Sequence, residues 1–507
     1  MTTLQNVDFL SGLIGAPSLD WLLDGLSGQP VGIRAVVVDA AADFLRSRLQ
    51  EADRPAEFAV EDLCIFIPEL GASMLNYLRR QVAGPIDLIS GPELDRDETL
   101  KAVTALACIE YGHLLLPPST FGIRVDSRDP AFSNFLQAVR NDPSMPSSDP
   151  ELAVPALDGF HDSGMASSLI QAAWELARLD YETPSLEQLV LKLKAVLQQT
   201  RDAFAGKTIV AKAMASLSGI VLDPNVEIRA PWGKIRAARE SEHPSVVSRL
   251  AAHKTVGATG DNGEQVMISD AGDVIVEVDI PTRIIFRKNG PWYDMSTRPA
   301  VDLGRILLEA RLALLLSWDR DPFAVVPVWQ RFIDPIISAG RLVFWQDPQA
   351  LAPRSPIHLS EIDCMRWSNW IHMTHDAKLK KLGVAPTRLL RAVAERRSSD
   401  DVLVDAVIAW EAVFGEDIEI TFKVSLSIAR LLAQATAERR EVRKRAVGVY
   451  RMRSAVVHGA DIAPDELEKS KADAIGLGIE ILRRILSDRK DLIEMTSSER
   501  ILTLALE

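Results

Sequence analysis

The sequence predicts an α+β multidomain chain that is mostly α, ending in an all-α bundle preceded by a helical N-terminal region and a small antiparallel sheet. Three observations predict it. The 507 residues correspond to roughly three domains. Apolar residues recur at helical spacing near both ends, and a β-branched, period-two stretch bounded by turn chemistry lies between them.

Residues 1–116 read as a mostly helical region, with apolar periodicity from Val36 to Leu49 and from Glu98 to Leu116. Residues 117–160 read as an irregular connector, because Pro117, Pro118, Pro143, Pro146, Pro150 and Pro155 punctuate them. A helical segment follows at 161–205, with helices from Met165 to Leu179 and from Ser185 to Gln199, the second capped by Ser185. Residues 206–295 read as the β region. Its strands are Gly219 to Leu222, Val226 to Ala230, Gln265 to Ser269, Asp273 to Asp279 and Arg283 to Lys288. Turns such as Asp223-Pro224-Asn225 and Asn289-Gly290-Pro291 separate them. Residues 296–360 read as a helical and aromatic connector built on the apolar helix Asp302 to Trp318.

From 361 to 507 the pattern is helical throughout. Pro386 opens one helix and Ser398 to Asp401 the next, which carries Leu403, Val407 and Trp410. A third bears Phe422, Leu426, Ala429 and Leu432 on its apolar stripe. The fourth runs from about Glu438 to Val457 and stops at Gly459. Pro464 opens a fifth, and a last segment begins at Lys490.

Charge narrows the function classes. The net charge of −13 comes from 57 basic and 70 acidic residues, so bulk charge does not draw this chain to nucleic acid and a polyanion site must be a local patch. Residues 361–507 hold 24 basic and 24 acidic side chains, which leaves 33 basic and 46 acidic in 1–360. The bundle is the electrostatically permissive part. Cys64, Cys108 and Cys364 are too few and scattered for a disulfide framework, which fits a reducing compartment. No stretch reaches the ~20 apolar residues of a membrane span, and no secretory leader is visible. The expectation is a cytoplasmic protein with no membrane partner.

The chemistry concentrates in the fourth helix. Its apolar stripe runs Val442, Ala446, Val449, Arg453, Val456, which puts a guanidinium at a core-facing position where it needs a partner. Arg451 falls on the solvent side. Glu411 follows Leu403 and Val407 at i+4 spacing on its own apolar stripe, so the pattern predicts a paired Glu411 and Arg453. Upstream lie Arg439, Arg440, Arg443, Lys444 and Arg445, giving seven basic groups within fifteen residues when Arg451 and Arg453 are included.

The stretch Tyr450-Arg-Met-Arg-Ser-Ala-Val-Val-His-Gly459 resembles the signature of the Apea-like branch of the HEPN superfamily, with Arg453, Ser454 and His458 at the motif positions. Asp400 to Asp405 leading into Ile408-Ala-Trp-Glu411 matches its surroundings, and the resemblance covers residues 387–487. It implies metal-independent RNA cleavage in antiviral defence, by a bundle that forms a homodimer and needs no cofactor. His458 would be the general acid or base and Arg453 the phosphate clamp, with Ser454 and Glu411 positioning them. Arg439, Arg440, Arg443, Lys444, Arg445, Arg451 and Tyr450 would contact RNA. A protein or phage-derived trigger would act at the N-terminal region. Imidazole suits the proton transfers of 2′-hydroxyl attack near neutral pH, and a planar guanidinium suits the charge that builds on phosphorus. Five residues separate Arg453 from His458, about 140° on a straight helix, so the two share a side only if the helix unwinds near Gly459. The other reading of the same residues is a non-catalytic RNA-, nucleotide- or protein-binding module with Arg453 and Glu411 as a structural pair.

Other patterns lack a partner. Ala205-Gly-Lys-Thr208 has Arg201 where a phosphate loop needs its first glycine, and His372 and His375 have no third metal ligand, so no metal is expected.

Overall fold

The computed structural model describes residues 2–25, 28–51, 56–92, 94–117, 125, 128–145, 162–239, 256–259, 265–268, 273–287, 290–338, 343–345, 356–377, 379–415 and 419–507. Within them the protein is mostly helical, with one six-stranded antiparallel sheet.

The N-terminal helices are α1 (Thr3–Ile14), α2 (Ala16–Leu22), α3 (Ile33–Leu49), α4 (Ala56–Glu61) and α5 (Met74–Ala83), with the short hairpin β1 (Phe66–Ile67) and β2 (Ala72–Ser73) before α5. They close around Leu10, Leu22, Val38 and Leu45. Next come α6 (Glu98–Leu115), α7 (Pro130–Asn141), α8 (Asp162–Asp180) and α9 (Leu186–Phe204). The helix α7 lies inside the stretch read as an irregular connector. Asp129 caps it and Pro130 sits in its first turn, so a proline there starts a helix rather than breaking one. Residues 146–160 of that connector lie outside the described residues. Ser185 caps α9 with a capping box to Gln188, as its sequence predicts.

The strands are β3 (Ile209–Ser218), β4 (Ile220–Val221), β5 (Glu227–Ala230), β6 (Gly233–Ala237), β7 (Val256–Thr259), β8 (Gln265–Ile268), β9 (Val274–Thr282), β10 (Ile284–Arg287), β11 (Gly290–Tyr293), β12 (Val326–Ile333), β13 (Val343–Trp345) and β14 (Ile357–His358). The main sheet has the order β13-β12-β3-β9-β6-β5. Two of its features depart from the sequence reading. The inner strand β3 is alanine-rich, and its centre is buried on both faces. Ala213, Ala215 and Leu217 face one core and Met214 the other. The sheet also continues past residue 295 into the aromatic stretch, where β12 pairs with β3 from Val326↔Ser218 to Ile333↔Lys212.

Helices cover both faces. On one side α6 to α9 pack against Met214, Ile275, Val328 and Trp329. On the other lie α10 (Pro299–Ser317) and α11 (Glu361–Asp376). The helix α10 carries apolar residues on more than one side because it serves two cores. Leu303, Ile306 and Leu307 meet the sheet, while Leu312, Leu315 and Leu316 meet the bundle. Its Arg311 donates to the Val325 carbonyl at 2.7 Å and to Glu395 at 2.7 Å. The α10 face of the sheet is thereby tied to the C-terminal unit.

The bundle comprises α12 (Ala385–Leu390), α13 (Ser399–Phe414), α14 (Ile420–Leu432), α15 (Thr436–Val457), α16 (Pro464–Ser487) and α17 (Ser497–Leu506). Trp410 is buried on α13 and its indole N–H donates to the Ala474 carbonyl at 3.2 Å. Opposite it Gly478 lets α16 come close, since a Cβ there would stand 2.9 Å from Leu389 Cδ1. Two buried ionic groups lock the ends. The Asp405 carboxylate receives Arg388 at 2.5 Å and Arg396 at 2.6 Å. Arg500, 1% exposed, donates to the carbonyls of Leu492, Val413, Lys381 and Ile493 at 2.7, 3.0, 2.8 and 3.2 Å.

Candidate functional site

The site is built on α15, whose 22 residues make a rod about 33 Å long at 1.5 Å per residue. At its end His458 is the capping residue, and its N–H still bonds the Ser454 carbonyl at 3.1 Å. Gly459 then turns left-handed at φ 71°. The Gly459 and Ala460 amides close back on Val456 and Ala455, both at 3.0 Å. This is a Schellman ending, and it needs a residue that tolerates positive φ at 459. Backbone alone therefore fixes where His458 stands. Its side chain is exposed and has no hydrogen-bond partner among the described residues.

The helix does not unwind before His458, so Arg453 stays about 140° round the axis from it. Arg453 is half-buried on the bundle side beside Ala446 and Val449, which are buried. The predicted Arg453–Glu411 ion pair is not formed among the described residues, and the Arg453 Nε is buried without a hydrogen-bond partner. The two charges still feel each other. Burial raises the Glu411 carboxyl above its ordinary range, while the Arg453 charge and the nearby Tyr450 hydroxyl pull it back. Tyr450 lies close to both charges. It is 6% exposed, sets its ring edge-on to Trp410 at 6.0 Å between centroids, and brings its phenol into the same space. Burial first, then the Glu411 charge, pushes the Tyr450 phenol up. Tyr450 is thus a core residue and not an RNA-stacking surface, which corrects the sequence expectation.

A carboxyl that holds its proton more tightly in the folded state destabilises the fold as pH rises through its titration range. Glu411→Gln is therefore expected to match the wild type in urea stability near pH 4 and to exceed it near pH 7. A wild type equally stable at both pH values, relative to the variant, would contradict this.

The basic run sorts into two sets. Arg439 donates to the Ala433 carbonyl at 2.9 Å, Arg445 bonds Asp473 at 2.9 and 3.0 Å, and Arg443 covers the Phe422 ring at 5.2 Å. These three are engaged in the fold. Arg440, Lys444 and Arg451 are exposed and unpaired among the described residues. At 100° per residue they lie within about 40° of one another, and His458 falls on the same line. Ser454, exposed one turn before His458, sits beside that line. The structure thus joins His458 and Ser454 to Arg440, Lys444 and Arg451 on one outward stripe, and puts Arg453 with Glu411 and Tyr450 on the inward side.

Phe422 departs from its predicted core position. It is 50% exposed at the start of α14, whose buried face is carried instead by Val424, Ile428 and Leu431.

Elsewhere, His375 Nδ1 lies 3.0 Å from the Glu309 carboxylate and His372 Nδ1 lies 2.8 Å from the Ser368 carbonyl. No group of three or more metal-ligating side chains is present among the described residues. Ser73, His113 and Glu110 are hydrogen-bonded in the order of an acyl-transfer triad, at 2.9 and 2.6 Å. All three are buried or nearly so, and the Ser73 oxygen also caps α5 through the Asn76 amide at 3.2 Å. That network serves the N-terminal fold. No helix among the described residues is long and apolar enough to cross a membrane.

Comparison of the chain with protein-family models, curated proteins and solved structures gives no match. The residues themselves carry the functional argument.

Proposed function

We propose that this chain is a metal-independent endoribonuclease of the HEPN type, acting in prokaryotic antiviral defence, with its site on the outward stripe of α15. The observation that carries the reading is the exposed His458 imidazole at the end of a line of unpaired cations. The chain as a whole has a net charge of −13, so a local stripe of this kind is where a polyanion finds attraction.

In this reading Arg440, Lys444 and Arg451 hold the strand's phosphates. A ribose 2′-hydroxyl attacks the adjacent phosphorus, and the 5′-oxygen leaves. His458 takes or returns the proton, and Ser454 orients it. Arg453 and His458 face different directions on one helix, so a phosphate touching both lies between two copies of the bundle. A homodimer brings the partner's motif to the same strand.

The test is incubation of the full chain with RNA in excess EDTA, where cleavage is expected to proceed. Removing the stripe checks the binding half. Arg440→Ala, Lys444→Ala and Arg451→Ala together should weaken RNA binding and lower the slope of log affinity against log salt by about 2, at ~0.7 per single-strand phosphate contact. An unchanged slope would contradict the assignment.

One observation favours a second reading, in which the stripe binds RNA without cutting it. Arg453 is inward, beside Glu411 and away from His458, as a residue serving the fold would be. RNA binding that depends on the stripe, with no cleavage by wild type, would decide for it.

A further inference from the structure

We propose that the groove at the start of α14 is a nucleobase subsite for single-stranded RNA, with Phe422 as its stacking surface. The inference rests on the RNA reading of the α15 stripe and names the form of RNA that the stripe accepts.

Three observations meet there. An open groove of about 620 Å³ is lined by Glu419, Ile420, Thr421 and Phe422. Phe422 is 50% exposed, and the Arg443 guanidinium lies over one side of its ring, 5.2 Å from the centroid. Arg443 itself projects about 60° round α15 from Arg440. The groove therefore borders the line of unpaired cations. A lone exposed phenylalanine is ordinary. What distinguishes Phe422 is the Arg443 guanidinium on its ring, which stands between the ring and the row of Arg440, Lys444 and Arg451.

Single strands are held by that combination. Cations follow the backbone, and an aromatic ring receives the face of an unstacked base. A duplex keeps its base faces covered and offers such a ring nothing. Glu419 decides which part of the nucleotide enters. Its carboxylate repels phosphate and accepts hydrogen bonds from base amino groups. Glu419 also adopts the left-handed conformation at φ 55°, a costly geometry for a residue other than glycine and one that occurs at binding and switch sites.

The test uses the full chain carrying His458→Ala in EDTA, so that bound RNA stays intact. Fluorescence anisotropy then compares an unstructured, fluorescein-labelled RNA strand with a labelled blunt RNA duplex. Adding Phe422→Ala is expected to weaken single-strand binding on the order of 10-fold and to leave duplex binding unchanged. Phe422→Trp should bind the strand at least as tightly as Phe422. Circular dichroism confirms that the variants are folded. Equal binding with and without the Phe422 ring overturns the proposal, as do equal losses on strand and duplex or no RNA binding at all. If the Phe422 dependence holds but wild type never cuts RNA, the subsite stands and the nuclease reading falls.

Discussion

His458→Ala is expected to lower RNA cleavage by roughly 10²–10⁴-fold, the usual effect of removing a general acid or base, while the bundle stays folded. The structure makes this a clean experiment. The helix ends on Gly459 and Ala460 through backbone bonds at 3.0 Å, and the exposed imidazole has no hydrogen-bond partner among the described residues. Alanine keeps the N–H that bonds the Ser454 carbonyl. Arg453→Ala would be harder to interpret, because Arg453 shares the bundle interior with Glu411 and Tyr450. A folded His458→Ala variant that cuts RNA at the wild-type rate removes His458 from the chemistry.

The largest effect on stability is expected at Arg500. Its guanidinium is 1% exposed and bonds four backbone carbonyls, from the turn after α16, the end of α13 and the segment before α12. Neither its hydrogen bonds nor its ion pairs include a carboxylate among the described residues, and burial pulls its proton affinity down. Arg500→Met removes the cation and strips a hydrogen bond from four carbonyls, of which only that of Leu492 keeps a backbone donor among the described residues, the Met495 amide at 3.3 Å. The expected cost is about 3–5 kcal/mol, read as an earlier urea transition of the bundle. Arg500→Lys should be nearly as damaging, since one ammonium cannot span the positions of a planar fork. A transition within error of wild type in both variants would show that water or rearrangement satisfies these carbonyls.

Much of the architecture was legible in the sequence where one face of an element is buried and the other is wet. The α13, α15 and α16 helices announce themselves by periodicity and by Ser398, Gly459 and Pro464 at their ends. Legibility failed where an element is buried on both sides. The strand β3 is built on alanines rather than β-branched residues, and β12 lies in an aromatic run whose place in the sheet depends on pairing with residues about 115 positions earlier. For the site, helical spacing alone put Arg451 outside and Arg453 inside. It also warned that Arg453 and His458 would diverge on an intact helix. Periodicity could not distinguish Arg439, Arg443 and Arg445, which are engaged, from Arg440, Lys444 and Arg451, which are unpaired among the described residues. That division is made by Ala433, Phe422 and Asp473, which come from neighbouring segments. Tyr450, expected to contact RNA, is buried against Trp410 of another helix, a contact its local sequence does not announce. Arg500 carries no local signal at all, since its partners are backbone carbonyls.

The most direct measurement is the chemistry of the cut ends. RNA digested by the full chain in EDTA, with His458→Ala alongside, should yield 2′,3′-cyclic phosphate ends in the wild-type reaction alone, and a strand with 2′-deoxyribose at the cut position should survive. Cutting of the deoxy strand, 3′-hydroxyl ends, or the same products from His458→Ala would contradict an imidazole-driven attack by the neighbouring 2′-hydroxyl.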